Sequence, residues 1–254
     1  MKKLIATLLV LTMALCLFGC GTTGSNETTA ATTEATTEAT TEATTEATGE
    51  STDTVMTYDE YMEAELDSEV TVICYVQDHQ SWWEDKITVY AADENGAYFL
   101  YEMACSEADA EKLVPGTAIK VTGYKGEWAG EVEIMDATFE FVEKEAYIAE
   151  AVDLTDVLGT DALINYQNQL ATFKGLTVKE ISYKNDEPGD DIYLTLTLGE
   201  NDYNFCVEVY LTGTDSDVYT TVGTLEAGDV VNVEGFVYWY EGVNPHITAI
   251  EVAA

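Results

Sequence analysis

The four tryptophans of this 254-residue chain fall in two kinds of place. Trp82 and Trp83 are adjacent in a polar stretch between two alternating apolar runs. Trp128 and Trp239 each occupy a Gly-bounded hairpin, GEWAG at 126–130 and WYEG at 239–242. Rings at loop tips, outside the Val/Ile/Leu rows of a core, are surfaces on which a planar or ring-shaped ligand can stack. Tyr90, Tyr98, Tyr193 and Tyr240 join them as candidate ligand-binding residues. Alternation places Thr88, Tyr90, Tyr98, Leu100 and Glu102 outward in one half of the chain, and Tyr193, Thr195, Asn204, Cys206 and Glu208 outward in the other. Packing is the competing reading, because adjacent aromatics at a strand end also close a barrel or cover a neighbour.

Residues for catalysis do not converge. His79 and His246 are the only histidines, and no nucleophile elbow, paired histidine or phosphate loop is present. The loop acids Asp93-Glu94 and Asp186-Glu187 with Asp190-Asp191 do not have calcium-loop spacing and read as solvated turns. Arginine is absent, which removes the usual stabiliser of a phosphoryl transition state. No catalytic residue, metal or cofactor is expected, and a hydrolase is the least favoured activity. Cys74, Cys105 and Cys206 lack both metal-ligand spacing and the even count of a disulfide framework.

Charge bears on partners. All ten basic residues are lysines, against 48 acids, for a net charge of −38. Tracking phosphates requires a cationic groove, so this balance predicts no nucleic acid among the ligands. The same acidity repels anionic lipid and keeps a surface protein dispersed.

The elements that position the aromatics come in two copies. LVPGTAIKVTGY at 113–124 returns as LEAGDVVNVEGF at 225–236, matching at Leu113/Leu225, Gly116/Gly228, Ile119/Val231, Val121/Val233, Gly123/Gly235 and Tyr124/Phe236. Each copy is a glycine turn feeding a half-buried strand. Around it, each half of the chain offers three earlier strands, a small helix between the third and fourth, and a hairpin into a fifth. That plan is the OB-fold, a five-stranded Greek-key barrel. The fold class is therefore all-β with short helices, as two tandem OB-fold-like barrels after a tether. The expected boundaries are 55–143 for the first barrel and 144–254 for the second, connector included.

The N-terminus has Lys2-Lys3, an apolar run over 4–18 and Leu17-Phe18-Gly19-Cys20. It resembles the signal and lipobox of bacterial lipoproteins, which implies cleavage after residue 19 and a diacylated Cys20. Residues 20–54 carry four Thr-Thr-Glu-Ala repeats with no side chain able to form a core, and read as a disordered linker. As a flexible coil such a linker spans about 30 Å.

Tyr58-x-x-Tyr61-Met62, Ser81-Trp82-Trp83, Gly96-Ala97-Tyr98-Phe99, Cys105-Ser106 and the repeated strand together resemble the tandem OB-domain lipoproteins of Gram-positive anaerobes. The resemblance implies a protein anchored on the extracytoplasmic face of the cell membrane through Cys20. The function expected is a binding module for a glycan, a peptide or another envelope protein, with an accessory structural role as the alternative. Cys20→Ser is expected to move the protein out of the membrane fraction and to abolish labelling by an alkyne-palmitate analogue. Unchanged labelling contradicts the anchor.

Overall fold

The computed structural model describes residues 54–253. The signal peptide, Cys20 and all but the last residue of the linker lie outside the described residues. The described chain is mostly strand with short helices, as expected. Its first half runs α1 (Tyr58–Glu63), β1 (Glu69–His79), β2 (Lys86–Ala92), β3 (Ala97–Ala104), α2 (Glu107–Ala110), β4 (Ala118–Trp128) and β5 (Glu131–Phe141). The strands close a barrel in the order β1-β2-β3-β5-β4, with β3 and β5 parallel and the other neighbours antiparallel.

The second half runs β6 (Val152–Asp153), a 3-10 turn (Asp161–Tyr166), β7 (Leu170–Tyr183), β8 (Ile192–Leu198), β9 (Asn201–Val207), α3 (Val209–Thr212), α4 (Asp217–Val222), β10 (Val230–Phe236) and β11 (His246–Val252). Its sheet is ordered β10-β11-β9-β8-β7-β6, and β10 also pairs with β7. The long strands thus repeat the neighbour relations of the first barrel. The third strand of this half ends at Val207, because α3 begins at Val209 under the Glu208 cap.

Local sequence explains most of the starts and stops. Thr57 and Glu60 form a reciprocal capping box at α1. The opposite end of α1 is capped by a buried lysine: Lys125 Nζ donates to the carbonyls of Tyr61 (3.0 Å), Met62 (2.7 Å) and Ala64 (2.9 Å). Inside the first barrel, Val72, Cys74, Val76, Val89, Leu100, Ile119 and Ile134 form one apolar cluster. Phe173, Leu176, Leu194, Leu196, Phe205, Val231 and Ile247 form another inside the second.

The repeated motif has a steric cause at its glycines. Gly116 and Gly228 turn with φ of 89° and 101°, where a Cβ is strained. Gly123 and Gly235 face a crossing strand: a Cβ on Gly123 would lie 2.7 Å from the Met135 carbonyl oxygen, and one on Gly235 only 2.2 Å from that of His246. Overpacking typically costs about 1–3 kcal/mol. Since backbone is the obstacle, Gly123→Ala is expected within that range and Gly235→Ala at or above its top. Urea unfolding measures both, and a change below about 0.5 kcal/mol, the size of a neutral surface substitution, contradicts the close approach.

Candidate functional site

The 80–85 loop between β1 and β2 is built around a tight turn. Trp83 and Lys86 exchange backbone hydrogen bonds at 3.0 Å in both directions, across Glu84 and Asp85 with φ of 45° and 62°. Two positive φ values in succession make a type I′ turn, which normally selects Asn or Gly. Here Glu and Asp hold the strained conformation, pinned by Cys105 N donating to the Asp85 carbonyl at 2.9 Å. The turn sends the neighbouring tryptophans different ways. Trp82 packs against the first barrel's core and donates Nε1–H to the Cys105 carbonyl at 2.8 Å. Trp83 is 71 % exposed.

A bulge completes the first barrel's share. Val89 pairs with Leu100 and Ile87 with Met103, so Tyr101 and Glu102 together oppose Thr88. Glu102 takes φ of 44° and donates its N–H to Thr88 Oγ1 at 3.1 Å. Both Tyr101 and Glu102 are thereby exposed beside Trp83. Lys86 joins Glu102 at 2.5 Å, and this ion pair pushes the lysine's pKa up.

The second barrel supplies the remaining wall. Ser81 donates through its N–H (2.7 Å) and its hydroxyl (3.2 Å) to the Tyr210 carbonyl on α3. Gln80 Nε2 donates to Glu208 Oε2 at 3.0 Å, and Glu208 Oε1 accepts from Tyr210 N at 3.2 Å. Burial pushes the Glu208 carboxyl up to about 7. The result is a cleft of 300 Å³ lined by Gln80, Ser81, Trp83, Lys86, Ile87, Thr88, Tyr101, Glu102 and Tyr210. Its exposed rings come from both barrels, and its polar groups include an amide, two hydroxyls and one ion pair.

The eight residues predicted from sequence part company. Trp83 lines the cleft. Trp128 and Tyr240 are exposed at the two hairpin tips, which meet where Glu241 N donates to the Ala129 carbonyl at 2.8 Å. Trp239 packs on the second barrel's core and over Gly130. Tyr193 is exposed on β8, away from the cleft. Tyr98 points into the first barrel and donates its hydroxyl to Asp93 at 2.9 Å, so the outward row of β3 is Phe99 and Tyr101, one residue out of step with the expected alternation. Tyr90 does lie on the outer face but is covered: it stacks on Phe236 of the second barrel, centroids 4.1 Å apart and planes 4° from parallel. Sequence reasoning missed Tyr101 and Tyr210. The Glu at 102 interrupting an apolar run hinted at the bulge; nothing local pointed to Tyr210. Among the described residues no group of His, Cys, Asp and Glu is arranged to hold a metal.

This geometry separates the tryptophans energetically. Trp83→Ala and Trp128→Ala are expected to change stability by no more than about 0.5–1 kcal/mol. Trp82→Ala is expected to cost several times that, through lost packing and an unpaired Cys105 carbonyl. Denaturant unfolding of the three variants tests it, and equal losses at positions 82 and 83 contradict the assignment.

No protein family matches the chain, and no characterised protein matches it in sequence. Solved structures do resemble it in fold. They include a murine DNA-binding protein bound to double-stranded DNA (14 % identity, TM-score 0.36, covering 72 % of this chain and 96 % of that one). Another is the Ifi202 HINa domain in complex with a 20-base-pair duplex (12 % identity, TM-score 0.33, 74 % and 96 %). A third is a replication protein A heterotrimer bound to single-stranded DNA (13 % identity, TM-score 0.34, 76 % and 51 %). That these structures hold DNA runs against the expectation that nucleic acid is excluded and against the glycan, peptide and hydrolase readings, which are withdrawn. The physical reason is that net charge belongs to the whole chain, whereas recognition is local. The cleft itself presents exposed rings, and its one lysine is paired with Glu102.

Proposed function

We propose that the described part of the chain is a binding module of the OB-fold whose cleft stacks the bases of a short single-stranded nucleic acid. The observation that carries this reading is the set of three exposed rings, Trp83, Tyr101 and Tyr210, spaced around one 300 Å³ cleft beside strands two and three of a barrel. Base–aromatic stacking contributes about 1–3 kcal/mol per base without regard to sequence. Gln80, Ser81 and Thr88 add hydrogen-bonding edges. The lipobox-like Leu17-Phe18-Gly19-Cys20 supports placing the module on a lipid anchor at the outer face of a cell membrane, as in the tandem OB-domain lipoproteins it resembles.

Electrostatics makes this binding unusual. The cleft's one lysine is already paired with Glu102, and the chain's net charge is −38. Stacking must therefore supply the affinity, without the counterion release that drives most nucleic-acid binding. Added salt screens the repulsion between the acidic protein and the phosphates. Titrating tryptophan fluorescence with a short single-stranded oligonucleotide is expected to give binding that holds or strengthens as salt rises. Trp83→Ala is expected to weaken it about tenfold or more. Loss of affinity with salt at the slope of about −0.7 per phosphate contact, unaffected by Trp83→Ala, overturns the stacking reading, as does absence of binding at every salt concentration.

A further inference from the structure

The two walls of the cleft are joined by a closed circuit of hydrogen bonds between the barrels. Gln80 and Ser81 come from the first barrel, Glu208 and Tyr210 from the second. Ser81 holds the Tyr210 carbonyl through its N–H (2.7 Å) and its hydroxyl (3.2 Å). Glu208 holds the opposite end of the same residue, its Oε1 accepting from Tyr210 N at 3.2 Å. Its other oxygen crosses back, Oε2 accepting from Gln80 Nε2 at 3.0 Å. Gln80 is in turn fixed to β2, its N–H donating to the Thr88 carbonyl at 2.9 Å.

Tyr210 depends on this circuit more than its neighbours do. Val209 packs on the second barrel's core and Leu211 on the cluster of Tyr90, Phe99 and Phe236. Tyr210 belongs to neither, nor to the first barrel's core, and is 58 % exposed. With no apolar cluster to seat it, the place of the ring is set by its backbone. Glu208 is buried and does not line the cleft. Its carboxylate suits the position: donors reach it from both barrels, and it offers two acceptor oxygens on one rigid plane. Hydrogen bonds to a charged acceptor are also stronger than those between neutral groups.

We propose that Glu208 is the positioning residue of the cleft, setting Tyr210 beside Trp83 and Tyr101 by joining α3 to the 80–81 loop without touching the ligand. This role rests on the base stacking proposed for the cleft, since rings from two barrels act on one ligand only when held in register. It also makes docking and binding reciprocal: a ligand that touches both walls favours the docked barrels by as much as docking favours the ligand.

Charge and positioning predict effects of opposite sign. A carboxylate repels a ligand that carries phosphates, so if Glu208 acted through its charge, removing that charge would tighten binding. Two uncharged variants of similar size separate the effects. Glu208→Gln keeps an oxygen for Tyr210 N and, with the Gln80 amide turned over, a donor for Gln80 Oε1. Glu208→Met keeps the volume and accepts from neither.

The test titrates the full chain with a short single-stranded oligonucleotide at pH 8. That is above the value of about 7 to which burial raises the Glu208 carboxyl, with the Asp191 charge adding to the shift. Glu208→Gln is expected to bind within about twofold of the wild type, and Glu208→Met about fivefold or more weakly, close to the loss from Tyr210→Ala. In a Tyr210→Ala background, Glu208→Met is expected to alter affinity by less than about twofold, because the ring it positions is gone. Amide hydrogen exchange gives a readout without ligand. Tyr210 N–H is expected to exchange about tenfold or more faster in Glu208→Met than in Glu208→Gln, with Leu196 and Phe205 of the core unchanged. Equal affinities of the two variants, or an undiminished Glu208→Met effect in the Tyr210→Ala background, overturn the positioning role. Equal Tyr210 exchange in the two variants overturns it whether or not an oligonucleotide binds. Absence of binding by the wild type, with Tyr210 exchange still split between the variants, sinks the stacking reading and leaves the circuit supported.

Discussion

The stack of Tyr90 on Phe236 is the contact on which the arrangement of the barrels depends. Tyr90, Phe99 and Phe236 form an apolar cluster distinct from either barrel's core, with Leu170, Leu211 and Tyr238 packed around it. It covers the outer face of β2 and β3, the face on which an OB barrel usually receives its ligand. Burying Tyr90 completely would strand its hydroxyl, and His246 Nδ1, 2.9 Å away, provides the partner. Tyr238 stacks on that imidazole at 4.2 Å, so the ring is clamped as well as buried.

Covering the central face moves the open site to its margin. The cleft begins where the cluster ends, and α3, whose Leu211 packs on the cluster, also presents Tyr210 to the cleft. The two barrels are therefore not separate sites on one chain. A ligand in the cleft touches both, and anything that changes their docking changes its walls. Three of the ten non-glycine residues at positive φ lie at the same place, Glu84 and Asp85 in the 83–86 turn and Glu102 in the β3 bulge. Each costs of order 1 kcal/mol or more, and the surrounding hydrogen bonds hold them there.

The polar part of the contact is as specific as the apolar part. Three buried carboxyls, Glu131, Glu133 and Glu208, lie at or near the junction, in a chain with few cations to neutralise them. Lysines in the described part are largely engaged in surface pairs or, for Lys125, in capping a helix. Two of the carboxyls draw on the opposing barrel instead, Glu131 Oε2 accepting from Trp239 N and Glu208 Oε2 from the Gln80 amide. Amide side chains suit the junction because they offer a donor and an acceptor without adding charge, as Gln167 does for the Gly130 carbonyl and Val132 N.

Sequence alone determined the repeat, the class of fold and most strands, because alternation and glycine turns are local and the steric demand at Gly123 and Gly235 falls on one atom each. It also counted Trp83 among its candidate exposed rings, without separating it from Trp82. It misjudged Tyr98, since a bulge downstream and the true register of β3 depend on pairing with β2, and a slip of one residue reverses every face. Covering of Tyr90 by Phe236, a residue 146 positions along the chain, has no local signature. The same holds for the cleft wall at Tyr210 and for Glu131, which in sequence is one acid among 48. Tertiary structure alone decides these, because burial, partner and protonation are set by what packs against a side chain from the other barrel.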